Sequence, residues 1–295
     1  MAVQGIARDF LFSALCLWVI SASPASGSQI IGVTFSRGLY DIDSLTGSAI
    51  LLSPPCPGGC GPYFGASSSP DANNIYIQSV VNIWEVTLNG PQFNPFGAYS
   101  SFDLAFDRAR NMMYATDGSA LFAVACPSPN SPNACSGTQI GPAFPTNNMQ
   151  ALDFVSGVGL YGAGDNNLYL IDPSTGVATF LGVTGILPDP AGTTNITDLA
   201  YDRSTGRLIA SVGCLKILGS RPVPSALCDE SNGGAIYSID RFTGEAILLN
   251  GNAPQIMGLA EVVPEPGSGL PVIAGLGALL VWNYRDKFRS ARLHR

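Results

Sequence analysis

The chain has 295 residues, 46% of them apolar and 12% charged, with 34 Gly and 22 Pro. That balance of turn formers and charge excludes coiled coils and helical bundles, and the apolar content excludes disorder. The single histidine, His294, is next to last, so histidine triads and His-ligated zinc are excluded from the body. Between residues 29 and 263 there are 8 basic and 18 acidic residues, which excludes nucleic acid as a partner and an electrostatic grip on anionic lipid.

The first element is Arg8, an apolar run over 10–20 and small residues through Gly27. This is the layout of a secretory signal peptide over 1–27, a cleavable helix cut after Ala25 or Gly27. Cys16 invites a lipoprotein reading, but Leu15 stands where a small residue is needed.

The body, 28–263, repeats. One half of the unit is an apolar-aromatic strand, an Asp and a Thr-Gly turn: LYDIDSLTG from Leu39, LYLIDPSTG from Leu168 and IYSIDRFTG from Ile236, with weaker copies from Ile83 and Leu121. The other half is a strand ending in Asp, a turn and a second strand: DLAFDRARNMMYATDG from Asp103 and DLAYDRSTGRLIASVG from Asp198, with degenerate copies from Ala151 and Ser67. A period of two places Leu39, Asp41 and Asp43 on one side of the strand and Tyr40 and Ile42 on the other. Asp43 with Gly47, Asp172 with Gly176 and Asp240 with Gly244 bracket tight loops, the Asp bonding its own backbone and the Gly supplying a positive φ. These are hairpin signals, so the sheets are antiparallel.

The anchors Leu39, Ile83, Leu121, Leu168 and Ile236 stand 44, 38, 47 and 68 residues apart. With four strands per unit, such periods fit propeller blades. Inner strands fall near 63–69, 101–107, 149–155 and 196–202. A fifth blade is split: 30–36, 38–43 and 47–53 lack an inner strand, and 255–263 supplies one. The expected fold class is therefore all-β, a five-bladed propeller closed by its N- and C-terminal strands, which removes two exposed sheet edges. A β-sandwich of similar hairpins is the other architecture the pattern allows. The body resembles bacterial propellers with LYxIDxxTG repeats, a resemblance that carries fold and not activity.

Apart from Cys16, the cysteines form three local pairs, each flanking a turn-rich insertion: Cys56 with Cys60, Cys126 with Cys135, Cys214 with Cys228. In an exported chain these are expected to be disulfides. The insertions at 56–60, 183–195 and 213–234 fall on one face of the ring, which is either the binding face or merely carries neutral loops that cost little to lengthen; the one at 126–135 falls on the other.

Candidates for chemistry are few. Asp103 and Asp198 precede Leu-Ala at equivalent places on inner strands and could approach the channel. Two readings follow: a carboxylate pair for a hard cation or acid–base work, or a duplicated Asp that bonds the backbone of the neighbouring blade. The stretches 165–167 and 71–74 lack the Gly and distal Glu of a calcium loop and read as turns. Phosphate loops and nucleophile elbows are absent from the sequence. Catalytic, cofactor and metal residues are accordingly expected to number none.

The last element runs from Val263-Pro264-Glu265-Pro266 through an apolar segment, 270–284, to Arg285, Lys287, Arg289, Arg292 and Arg295. As helix, fifteen residues reach about 22 Å, short of a ~30 Å bilayer core. The three parts in this order resemble the PEP-CTERM sorting signal of Gram-negative bacteria over 264–295. That resemblance implies an exosortase as partner, transient passage through the inner membrane at 270–284, and delivery to the cell surface or an extracellular matrix rich in exopolysaccharide. Val263, Pro264, Glu265 and Pro266 would be that enzyme's substrate. The function expected is a non-enzymatic binding or structural propeller without cofactor. The alternative is a propeller lyase or hydrolase acting on surface polysaccharide.

Overall fold

A computed structural model describes residues 29–35, 38–53, 63–71, 73–79, 82–126, 135–186, 194–218, 221–224 and 233–262. The expected signal and sorting segments, with Val263, Pro264, Glu265 and Pro266, lie outside these residues, as do Cys56, Cys60 and Cys228. No helix occurs among the described residues.

The described elements form five antiparallel sheets. Blade 1 holds β4 (Tyr63–Ser68), β5 (Asn74–Ser79), β6 (Asn82–Thr87) and β7 (Gln92–Ala98), from inside to outside. Blade 2 holds β8 (Asp103–Asp107), β9 (Met112–Thr116), β10 (Leu121–Ala125) and β11 (Ser136–Ile140). Blade 3 holds β12 (Met149–Val155), β13 (Gly159–Gly164), β14 (Asn167–Ile171) and β15 (Ala178–Val183). Blade 4 holds β16 (Thr194–Asp202), β17 (Arg207–Leu218), β19 (Gly234–Ile239) and β20 (Ala246–Ala253), with β18 (Arg221–Pro224) paired to the far end of β17.

Blade 5 is the split one. Its inner strand is β21 (Ile256–Val262), hydrogen bonded to β1 (Gln29–Thr34), which leads to β2 (Leu39–Ile42) and β3 (Ala49–Ser53). Register partners run from Gln29 with Val262 to Val33 with Gly258, so the two ends of the body are zipped together. The inner strands touch in ring order, β4, β8, β12, β16, β21 and back to β4. The protein is an all-β, five-bladed propeller.

One sequence expectation holds and a second needs correction. Leu39 and Ile42 face opposite ways, as alternation predicts, and both are buried. Both faces of a blade are covered: Leu39 joins the cluster with Tyr63, Ile75 and Val86 of blade 1, and Ile42 joins Ala200, Ile209 and Ile236 of blade 4. Three further clusters fill the other three blade junctions, so the core is five inter-blade layers rather than one centre. Second, the insertion at 213–234 is not all loop. The run Leu215-Lys216-Ile217-Leu218 extends β17, and β18 pairs back on it from Arg221 with Leu218 to Pro224 with Leu215.

The repeated Asp-x-x-Thr-Gly turn locks one blade to the next. In blade 5, Asp43 Oδ1 accepts the amides of Leu45 (2.8 Å) and Thr46 (3.0 Å), and the Gly47 amide bonds the Asp43 carbonyl at 2.7 Å. Gly47, Gly176 and Gly244 have φ of 69°, 69° and 78°, a region that costs side-chain-bearing residues energy. Space requires glycine too. A Cβ on Gly176 would lie 2.0 Å from the Ile140 carbonyl oxygen of blade 2, and one on Gly244 would lie 2.9 Å from Gly182 of blade 3. Each turn is thus seated on the outer strand of the preceding blade.

Candidate functional site: the centre of the ring

An inner strand has no strand partner on its axial side, so its amides there need other acceptors. Two aspartates supply them. Asp103 Oδ1 accepts the Leu104 amide (2.7 Å) and its Oδ2 the Leu152 amide (2.6 Å). Asp198 Oδ1 accepts the Leu199 amide (2.6 Å), and its Oδ2 accepts those of Ala66 (2.9 Å) and Leu259 (2.7 Å). Ala66, Leu104, Leu152, Leu199 and Leu259 belong to β4, β8, β12, β16 and β21. Two carboxyl groups therefore take one amide from each of the five blades.

The residues preceding Ala66, Leu152 and Leu259 are Gly65, Ala151 and Gly258. All three are small, and at the two glycines space requires it. A Cβ on Gly65 would stand 2.1 Å from Asp103 Oδ1, and one on Gly258 would stand 2.8 Å from the Ala66 amide nitrogen. Both aspartates are fully buried. They also hydrogen bond to each other. Burial pushes the Asp103 carboxyl well above its ordinary value, and the charge of Asp198 pushes it further. Burial raises Asp198 as well, against the pull of its amide donors. Asp198 accepts three amides and Asp103 two, so a negative charge is better held at Asp198, and the two raised carboxyls share a proton as a pair.

The two carboxylates are therefore brought together, as one reading of the sequence requires, but their lone pairs are committed to backbone, as the other requires. Both side chains are closed to solvent. Among the described residues no three Asp, Glu, Cys or His side chains converge in a metal-holding group.

A second layer sits where the inner strands end, and reading the sequence for acid pairs misses it. Arg203 Nε bonds Glu261 Oε2 at 3.0 Å, and the Arg203 amide donates to Glu261 Oε1 at 2.7 Å. Asp153 Oδ1 accepts the Phe154 amide (2.8 Å) and Oδ2 the Tyr201 amide (2.5 Å). Burial, helped by the Glu261 charge, pushes the Asp153 carboxyl up to about 7. Arg108 is held below its ordinary value by burial and by the Arg203 charge, against the opposing pull of Glu261 and Asp153. Its Nε and Nη2 are buried without a hydrogen-bond partner. The signal was the Asp-Arg pair that closes both strong inner-strand repeats, at 107–108 and 202–203. Asp153 and Glu261 had none, because their copies of the repeat are degenerate.

Of the expected disulfides, Cys126 and Cys135 are bonded, joining β10 to the start of β11. Cys214 falls on β17.

No protein-family model and no curated protein matches this chain. Solved structures with a similar fold include a chain of the nidogen/laminin complex, at 11% identity over 80% of this chain and 98% of that one, with a TM-score of 0.49. TolB from Acinetobacter baumannii is similar at 12% identity over 81% of this chain and 67% of that one, TM-score 0.40. Glutaminyl cyclase from Myxococcus xanthus is similar at 15% identity over 61% of this chain and 88% of that one, TM-score 0.37. Such identities go with fold alone, and the propeller assignment rests on the five sheets and their closure.

Proposed function

We propose that this protein is an exported, non-enzymatic propeller, sorted by an exosortase to the cell surface or extracellular matrix, where it binds or supports exopolysaccharide. The observation that carries the reading is the three-part order of residues 264–295, a Pro-Glu-Pro motif, an apolar segment and a basic end, in a chain that begins with a signal-peptide layout. The body suits that role. Gln29 and Val262 are register partners, so the first and last described residues of the body lie side by side. A binding rather than catalytic role is favoured over the lyase or hydrolase alternative because the paired carboxyls at the centre are fully buried and engaged with five amides.

Intact-mass analysis of the protein from its own producing cells tests the sorting. Loss or modification of the residues after Pro266 in the surface fraction is expected; a chain ending unmodified at Arg295 there contradicts the reading. Sedimentation of the protein with the organism's own exopolysaccharide tests the partner.

A further inference from the structure

The three strong copies of the turn share one backbone design but differ at the two residues after the Asp: Ser44-Leu45 in blade 5, Pro173-Ser174 in blade 3, and Arg241-Phe242 in blade 4. The turn itself asks for none of these side chains. Asp240 Oδ1 accepts the amides of Phe242 (2.8 Å) and Thr243 (3.0 Å), as Asp43 does for Leu45 and Thr46. Yet Phe242 is 70% exposed, a large apolar ring held in water by a turn that folds equally well with serine in that place.

Its surroundings are built. The Arg241 guanidinium carbon lies 4.7 Å from the Phe242 ring centre and 5.5 Å from that of Tyr201, and Arg241 Nη1 donates to the Tyr201 hydroxyl at 3.2 Å. Phe242 is thereby stacked on a cation anchored to the inner strand, which fixes its ring without covering it. Beside it is a cleft of about 300 Å3 lined by Arg207, Ser238, Asp240, Arg241, Phe242 and Glu245 among others. That is the lower end of the roughly 300–1,000 Å3 of small-ligand sites. The Asp240 carboxyl lies below its ordinary value because the Phe242 and Thr243 amides bond it, so it is charged at neutral pH. Blade 3 adds a second ring. A Cβ on Gly182 of β15 would meet the Thr243 carbonyl oxygen, so the blade 4 turn rests there. Phe180, two residues along the same strand, is 55% exposed.

An exposed ring for an apolar face, with charged hydrogen-bonding groups at its edge, is the chemistry that recognises a pyranose. A sugar has faces of C–H groups and a rim of hydroxyls. We propose that this cleft binds a pyranose unit of a polysaccharide, stacked on Phe242, with its hydroxyls bonded by Arg207, Arg241, Asp240 and Glu245, and that Phe180 takes a neighbouring unit of the same chain. The site lies on the face of the third-to-fourth strand turns. The inference rests on the polysaccharide reading above and adds where that polymer sits.

The molecule contains its own control. The corresponding cleft of blade 5, about 460 Å3, is lined by Asp41, Asp43, Ser44, Leu45, Ser204 and Thr205 among others. It has the same turn and the same Asp, but Leu45 replaces the ring and no arginine among the described residues lines it. The test is affinity electrophoresis of the full chain in gels containing exopolysaccharide purified from the producing organism. Wild type should be retarded. Phe242→Ala and Arg241→Ala should each weaken binding by about tenfold, and Leu45→Ala should leave it unchanged. Phe242→Leu, which sets at this position the residue that the blade 5 turn carries, should keep the fold and show the same loss. Retardation of both Phe242 variants equal to wild type overturns this site while leaving the polysaccharide reading in place. No retardation of the wild-type protein overturns both.

Discussion

The ring centre and the outer turns use the same residue to opposite ends. Asp198 and Asp240 both accept backbone amides, three and two of them. At the axis, burial outweighs those donors and the carboxyl rises above its ordinary value. At the rim, water remains and the donors win, so the carboxyls of Asp240 and, likewise, Asp172 fall. Hydrogen bonding to the charged form is common to both places; desolvation separates them. A paired carboxylate is therefore not by itself a sign of chemistry. At the centre of this propeller it is the fitting that joins five blades.

The largest effect should come from removing that fitting. Asp198→Ala leaves amides from blades 1, 4 and 5 buried without an acceptor and should cost about 4 kcal/mol in urea unfolding; a cost near that of a surface change would separate the pair from the stability of the ring. Next, Gly65→Ala tests the space reserved for the carboxyls. Its Cβ would stand 2.1 Å from Asp103 Oδ1 and 3.0 Å from the Asp103 Cα, and the expected loss is about 2–3 kcal/mol. The smallest should be Asp240→Ala. Its two amides turn to water, so the loss should be under about 1 kcal/mol by the same measurement. If Asp240→Ala costs as much as Asp198→Ala, the contrast between centre and rim fails.

Much of the fold could be read from the chain. The Asp-x-x-Thr-Gly turns locate the outer hairpins, because an Asp that bonds two amides and a glycine of positive φ are local requirements. The split blade is legible because an unmatched strand at 256–262 and three unmatched strands at 29–53 leave one way to close the ring. What resists reading depends on closure itself. That Leu39 and Ile42 are both covered follows from a neighbouring blade on each side, which alternation within one strand cannot express. That Asp103 and Asp198 touch, though they stand on blades 2 and 4, requires the intervening Ala151 and the facing Gly65 and Gly258 to leave the axis open. The charged layer of Arg108, Asp153, Arg203 and Glu261 joins residues from four blades, two of them in degenerate repeats. The Phe242 cleft was within reach of sequence comparison, since it is where one copy of the turn departs from the others.

The central claim, that the buried carboxyls are structural joints held with raised proton affinity, is tested most directly by the pH dependence of thermal unfolding between pH 5 and 8. A group whose folded value is raised holds its proton longer in the folded state, so its stabilisation is full below the ordinary value near 4 and is lost as pH rises toward the folded value. For Asp153 that window runs from 3.8 to about 7; for the Asp103–Asp198 pair it begins at the same point, and the direction is upward. The exposed Asp172 and Asp240, with lowered values, lose their contribution only as pH falls below the ordinary value, outside the measured range. The unfolding midpoint of the wild-type protein should therefore fall as pH rises from 5 toward about 7. Asp103→Asn, whose amide can donate to Asp198 in place of the proton, should make that slope shallower whatever it does to the midpoint. A wild-type midpoint that rises over this range, or an Asp103→Asn slope equal to that of wild type, would contradict the account.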